Sequence, residues 1–143
     1  MKTRSAFTLV EILVVVVILG ILAIIVIPQF TPAATQAKTS RLCSDLQVMR
    51  VAIQMYKVQH SDDLPGIVPG VSLGQALTEK TDQDGTLNAG GRYGPYVQKI
   101  PTNPFNDLDT IEVDGTLGGS SHGWHYNTTL GQFHADTDGQ IGL

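Results

Sequence analysis

The 143-residue chain reads as an α+β protein, a long N-terminal helix whose second half packs on a small C-terminal antiparallel β-sheet. Three observations predict this. Residues 7–27 form an apolar run whose one charge is Glu11. Leu42, Leu46, Met49, Ile53 and Tyr56 then recur at alternating intervals of four and three, one face of a helix. Near the end, Trp124-His125-Tyr126 and Gln132-Phe133-His134-Ala135 alternate on either side of a turn at Asn127-Thr128-Thr129-Leu130-Gly131.

The N-terminal run comes first. Its twenty-one residues make a helix of about 30 Å at about 1.5 Å per residue, the thickness of a bilayer core. Valine and isoleucine are no obstacle, because a backbone in lipid must satisfy its own hydrogen bonds and a helix does so locally. Lys2 and Arg4 precede the run, and the positive-inside bias places them in the cytoplasm and the remainder outside. A cleaved secretory signal is a poor match, since its apolar region is shorter and ends in a small-x-small site. An uncleaved signal anchor fits better, but it leaves Glu11 unexplained. A carboxylate near the start of a membrane helix costs a few kcal/mol and marks a functional position.

The division is therefore a leader at 1–6, a membrane helix segment at 7–30 and an exported head at 31–143. Within the head, a helix is expected over 33–60, loops over 61–109 and antiparallel strands over 110–136. Apolar positions of the helix form core, while Lys38, Arg41, Asp45, Arg50 and Lys57 fall mainly elsewhere. His60-Ser61-Asp62-Asp63-Leu64-Pro65-Gly66 ends it with turn formers. Ser72 to Glu79 reads as a brief helix, Gly94 to Pro101 as an extended loop pinned by its aromatics, and Thr110 to Val113 as a weak strand. In the hairpin, Trp124 and Tyr126 share a face with Phe133 and Ala135, and that face covers the helix stripe.

Charge and cysteine content narrow the function classes. Setting Lys2, Arg4 and Glu11 aside leaves seven Lys/Arg against twelve Asp/Glu in the head, a net charge of about −5. An acidic head without a basic cluster argues against nucleic acid as a partner. Cys43 is the one cysteine, which excludes an internal disulfide and a thiolate metal cage; beside Leu42 it reads as a small, partly buried hydrophobe. No catalytic motif is present. His122, His125 and His134 with Asp136 are transition-metal ligand types, and Asp82-Gln83-Asp84-Gly85 and Asp136-Thr137-Asp138-Gly139 are Asp-x-Asp-Gly turns with calcium-type oxygens. Neither turn completes an EF-hand loop, so solvated turns are the simpler reading, with Asp136 and Asp138 as weak calcium candidates and no other cofactor. Asn127-Thr128-Thr129 matches a glycosylation sequon that the turn itself explains.

Ala6-Phe7-Thr8-Leu9-Val10-Glu11 resembles the type IV prepilin cleavage and methylation motif, usually Gly-Phe-Thr-Leu-(Ile/Val)-Glu, with Ala6 in the glycine's place. The resemblance implies a pilin-like fold, cleavage by a prepilin peptidase between Ala6 and Phe7, N-methylation of Phe7, and a helix bend at Pro28. It also gives Glu11 a partner, the Phe7 ammonium of a neighbouring subunit, since opposite charges at close range in a low dielectric attract strongly. A snorkelling Glu11 near the headgroups is the plainer alternative. Tyr96-Val97-Gln98-Lys99-Ile100-Pro101-Thr102-Asn103-Pro104 is similar to the Tyr-Leu-x-x-x-Pro-x-Asp-Pro stretch of type II secretion major pseudopilins, with Asn103 replacing the acid. The aromatic strand Gly123-Trp124-His125-Tyr126 and the absence of a cysteine pair fit the same group. The implied function is a non-enzymatic pseudopilus subunit in the bacterial inner membrane, with other pseudopilins, a prepilin peptidase and an inner-membrane assembly platform as partners. A type IV pilin for adhesion, motility or DNA uptake is the alternative, and a membrane-anchored binding module or enzyme is the rival of another class.

Overall fold

The computed structural model describes residues 7–143, apart from the side chains of residues 25–32. Helix α1 spans Leu9–Gln59 and α2 spans Leu73–Thr78; three strands follow, β1 (Ile111–Val113), β2 (Trp124–Asn127) and β3 (Gln132–Ala135). The chain divides into two compact units, Met1–Ala37 and Lys38–Leu143.

In the first unit α1 is apolar on every side, and the described side chains from Leu9 to Ile24 are all exposed. Among the described residues no helix is long and apolar enough to cross a membrane. The expected span continues past Ile24 into positions whose side chains lie outside the described set. The helix is continuous through Pro28, whose side chain belongs to those positions.

In the second unit the expected stripe is the core. Leu42, Leu46, Met49, Ile53 and Tyr56 are buried with Ala52, against Leu73, Ala76 and Leu77 of α2 and Trp124, Tyr126, Phe133 and Ala135 of the sheet. At four- and three-residue spacing these side chains lie over one another on one helix face. Beyond its last turn α1 stops in two left-handed residues, Ser61 and Asp62, with φ of 57° and 76°, while Asp62 N–H returns to the Lys57 carbonyl at 3.0 Å. His60, fully buried, stacks on Tyr56 with ring centroids 3.7 Å apart and bonds Thr81 Oγ1 at 3.0 Å, which ties the helix end to the loop region. Helix α2 begins with a capping box between Ser72 and Gln75. The Gly94 to Pro101 segment is pinned as expected: Tyr96 Oη donates to Gln59 Oε1 at 2.7 Å, and the Tyr96 and Val97 N–H groups share the Leu77 carbonyl.

The sheet corrects one expectation. β2 and β3 pair antiparallel, Trp124 opposite Ala135 and Tyr126 opposite Phe133, so all four inward side chains meet the helix stripe as read from the alternation. β1, however, runs parallel to β2, with Ile111 opposite Trp124 and Val113 opposite Tyr126, so the sheet is mixed and not antiparallel throughout. Asp114-Gly115 looks like a hairpin turn, but the chain continues through residues 114–123 and re-enters the sheet at the end where β1 began. That crossover is held by Asp136, just beyond β3: its Oδ1 accepts the Gly118 and Gly119 N–H groups at 2.7 and 3.0 Å, and its Oδ2 accepts that of His122 at 3.3 Å. A distant carboxylate thus holds the crossover in place.

Candidate functional site

Phe7 lies just before α1 and its ring is exposed. Ala6, on the other side of the expected cut, lies outside the described residues. Thr8 and Glu11 form a reciprocal cap at the helix start: Glu11 N–H donates to Thr8 Oγ1 at 3.3 Å, and Thr8 N–H donates to Glu11 Oε2 at 3.2 Å. Two of the unpaired N–H groups of the first turn are thereby satisfied, and the acid sits where the helix dipole favours negative charge. Sequence reasoning assigned Glu11 only an intermolecular partner. The Thr-x-x-Glu spacing that announces a capping box was there to be read beside it. The carboxylate makes both of its contacts through one oxygen, Oε2, which accepts the Thr8 N–H and, at 3.3 Å, the Thr8 hydroxyl.

In the head, a second face of α1 carries apolar side chains. Val48, Val51, Met55 and Val58 are exposed, and Val48, Val51 and Met55 line a groove closed on one side by Pro95 and Tyr96. Cys43 is partly buried, as its neighbour Leu42 suggested. Arg41 and Asp45 pair across one turn at 3.6 Å.

The structure sorts the expected metal-ligand residues into new groups. Asp136 is fully buried, whereas Asp138 is exposed and contributes only a backbone N–H, to Ser120 Oγ at 3.1 Å. Their side chains do not share the loop-organising role. His125 and His134 face each other across β2–β3, but His125 is covered, its Nε2 3.1 Å from the Gly115 carbonyl. Burial, then the nearby Arg50 and His125, push the His134 imidazole below its ordinary value of 6.5. His122 stands apart from both, with its Nδ1 4.0 Å from Glu112 Oε2. Sequence reasoning passed over Glu112, because β1 gave too weak a signal to place it beside that loop. Asp82-Gln83-Asp84-Gly85 is a self-contained turn: Asp84 Oδ1 accepts the Thr86 hydroxyl and N–H, and these bonds hold its carboxyl below the usual range. Asn127 caps its own turn through Oδ1 to the N–H groups of Thr129 and Leu130, which accounts for the sequon.

Asn103, in the acid's place of the Pro-rich stretch, is buried and bonded on three sides. Its Nδ2 donates to the Gly123 carbonyl at 2.7 Å and to Thr137 Oγ1 at 2.8 Å, while Oδ1 accepts Phe105 N–H at 2.9 Å. An amide can donate there and a carboxylate cannot, so the substitution suits this neighbourhood.

Residues 1–27 match the prokaryotic N-terminal methylation motif. The type II secretion system core protein G of Pseudomonas aeruginosa is 33% identical over 135 residues, covering 85% of this chain and 92% of that protein. The core protein G of Vibrio cholerae is 30% identical over 138 residues, covering 86% and 90%. A fimbrial protein of Pseudomonas aeruginosa is 30% identical over 122 residues, covering 85% of this chain and 73% of that protein. No solved structure matches.

Proposed function

The chain belongs to the family of type II secretion system core G proteins, and from that premise we propose that it polymerises into the pseudopilus of a type II secretion system. It is a structural subunit and not an enzyme. The observation that carries this reading is the near-complete coverage of core G relatives, 92% and 90% of their length, against 73% for the fimbrial protein. The methylation motif at residues 1–27 supports the same assignment.

The processing we propose is cleavage between Ala6 and Phe7 by a prepilin peptidase, followed by N-methylation of Phe7. Before assembly the subunit sits in the inner membrane as a single-pass protein, N-terminus cytoplasmic and head periplasmic. Copies of itself, other pseudopilins and the inner-membrane assembly platform are its partners, and the acidic head argues against a nucleic-acid role. Glu11 pairs in the filament with the Phe7 ammonium of an adjacent subunit and so sets axial register. Its cap with Thr8 leaves that open, since the cap uses one oxygen.

Three variants separate the two roles of Glu11. Glu11→Gln keeps a side chain able to cap but removes the charge; Glu11→Leu and Glu11→Ala remove both. Leader removal, read by intact mass, is expected in all three, with mature chains beginning at methylated Phe7. Glu11→Leu also inserts more favourably, by about 2–3 kcal/mol on insertion scales. Filaments in sheared fractions and electron micrographs are expected to be lost in all three. Normal filaments from Glu11→Gln alone would reduce Glu11 to a cap, and normal filaments from all three would refute the register mechanism.

A further inference from the structure

The crossover that makes the sheet mixed also gathers ligating atoms on the face away from α1. Ile111 points to the core, so Glu112 points to the opposite face, where its ladder neighbour is His125. There Glu112, His122 and Asp136 each present one ligand atom, all within 4.8 Å of one another. Asp136 is fixed by its three backbone N–H partners and is fully buried. Glu112 lies over Gly115, where a Cβ would stand 2.2 Å from Oε1, so the glycine leaves room for the carboxylate in this position. His125, 5% exposed on the same face, keeps its Nδ1 buried without a hydrogen-bond partner.

We propose that Glu112, His122 and Asp136 bind a zinc-class divalent cation that clips edge strand β1 to the segment following β3. One imidazole and two carboxylates form a donor set for a borderline metal. Calcium asks for six to eight oxygens, which these three side chains do not supply. Bonds of about 2.0–2.1 Å in a tetrahedron set ligand atoms about 3.3 Å apart. The His122–Glu112 separation of 4.0 Å therefore has to shorten, which falls to these two partly exposed side chains while Asp136 stays in place. Ser121 Oγ, 3.1 Å from His122 Nδ1, stands beside the fourth position, which it or water fills. The clip supplies what this head otherwise lacks. β1 is three residues long, its one ladder partner among the described residues is β2, and a chain with a single cysteine has no internal disulfide to hold it.

The test uses the full chain in detergent, stripped of metal and titrated with Co(II), Zn(II) and Ca(II). One Co(II) per chain is expected, with the intensified visible bands of a four-coordinate site, displaced by Zn(II). Saturating Zn(II) raises Tm by several degrees through linkage to the folded state. His122→Ala and Glu112→Gln, both at partly exposed positions, lose the bands and the Tm shift but still unfold cooperatively; Cys43→Ser retains both. Absence of a one-to-one complex overturns the proposal. So does a complex that survives in His122→Ala and Glu112→Gln, or a larger Tm shift with Ca(II) than with Zn(II).

Discussion

Both carboxylate oxygens of Asp136 accept backbone N–H groups from the crossover between β1 and β2, while Asp138, two residues on, is exposed. Removing the first leaves buried donors unpaired, which costs about 1–3 kcal/mol, more where a charge is involved. Asp136→Ala is therefore expected to lose at least that much in chemical denaturation of the full chain, and Asp138→Ala to stay within about 0.5 kcal/mol. Equal losses would remove Asp136 from its organising role. His134 makes the complementary case for pH. Its imidazole titrates below 6.5 when folded, so the unfolded chain binds the proton first as pH falls. Stability is then full above 6.5 and declines through the window between 6.5 and the lower folded value. His134→Gln is expected to flatten the Tm profile between neutral and mildly acidic pH, and an unchanged slope would assign the pH response to other groups.

At the scale of elements, α1 presents two apolar faces in the head with unequal consequences. Met49 is fully buried in the core, and Val48 beside it is about half exposed. Met49→Ala is expected to cost about 2–5 kcal/mol as a cavity forms, and Val48→Ala well under about 1 kcal/mol. A similar loss for both, read from urea midpoints, would contradict the assigned helix face. That face was legible in the sequence because helical spacing alone decides which side chains align, and the inward face of the hairpin was legible because strand alternation does the same. The direction of β1 was not legible. Strand direction depends on where the connecting loop returns, and here that loop is held by a carboxylate beyond β3. The site was split in the same way: Phe7 and Glu11 announced themselves by local context, whereas Glu112 joins His122 only through the fold. Asn103 stood out as a departure from a pattern, but its three partners come from Phe105, Gly123 and Thr137.

At the scale of the whole molecule, the head has a core of its own among the described residues. Among the described residues every buried core residue lies at or beyond Leu42, whereas the side chains from Leu9 to Ile24 are exposed. An exposed apolar surface of that extent marks a membrane or protein interaction site. A chain beginning at Ala33 keeps the full stripe, the α2 contacts of Leu73, Ala76 and Leu77, and the sheet, so it is expected to fold without detergent. It should unfold in one cooperative transition and remain monomeric, because the segment that carries Phe7 and Glu11 is gone. The same truncation in cells should yield soluble head and no filament. Sedimentation and thermal unfolding of the truncated chain decide the matter. A molten or aggregated product would mean that the head needs the apolar helix to fold, and a soluble head that still polymerises would place the driving contacts in the head and not in the first half of α1.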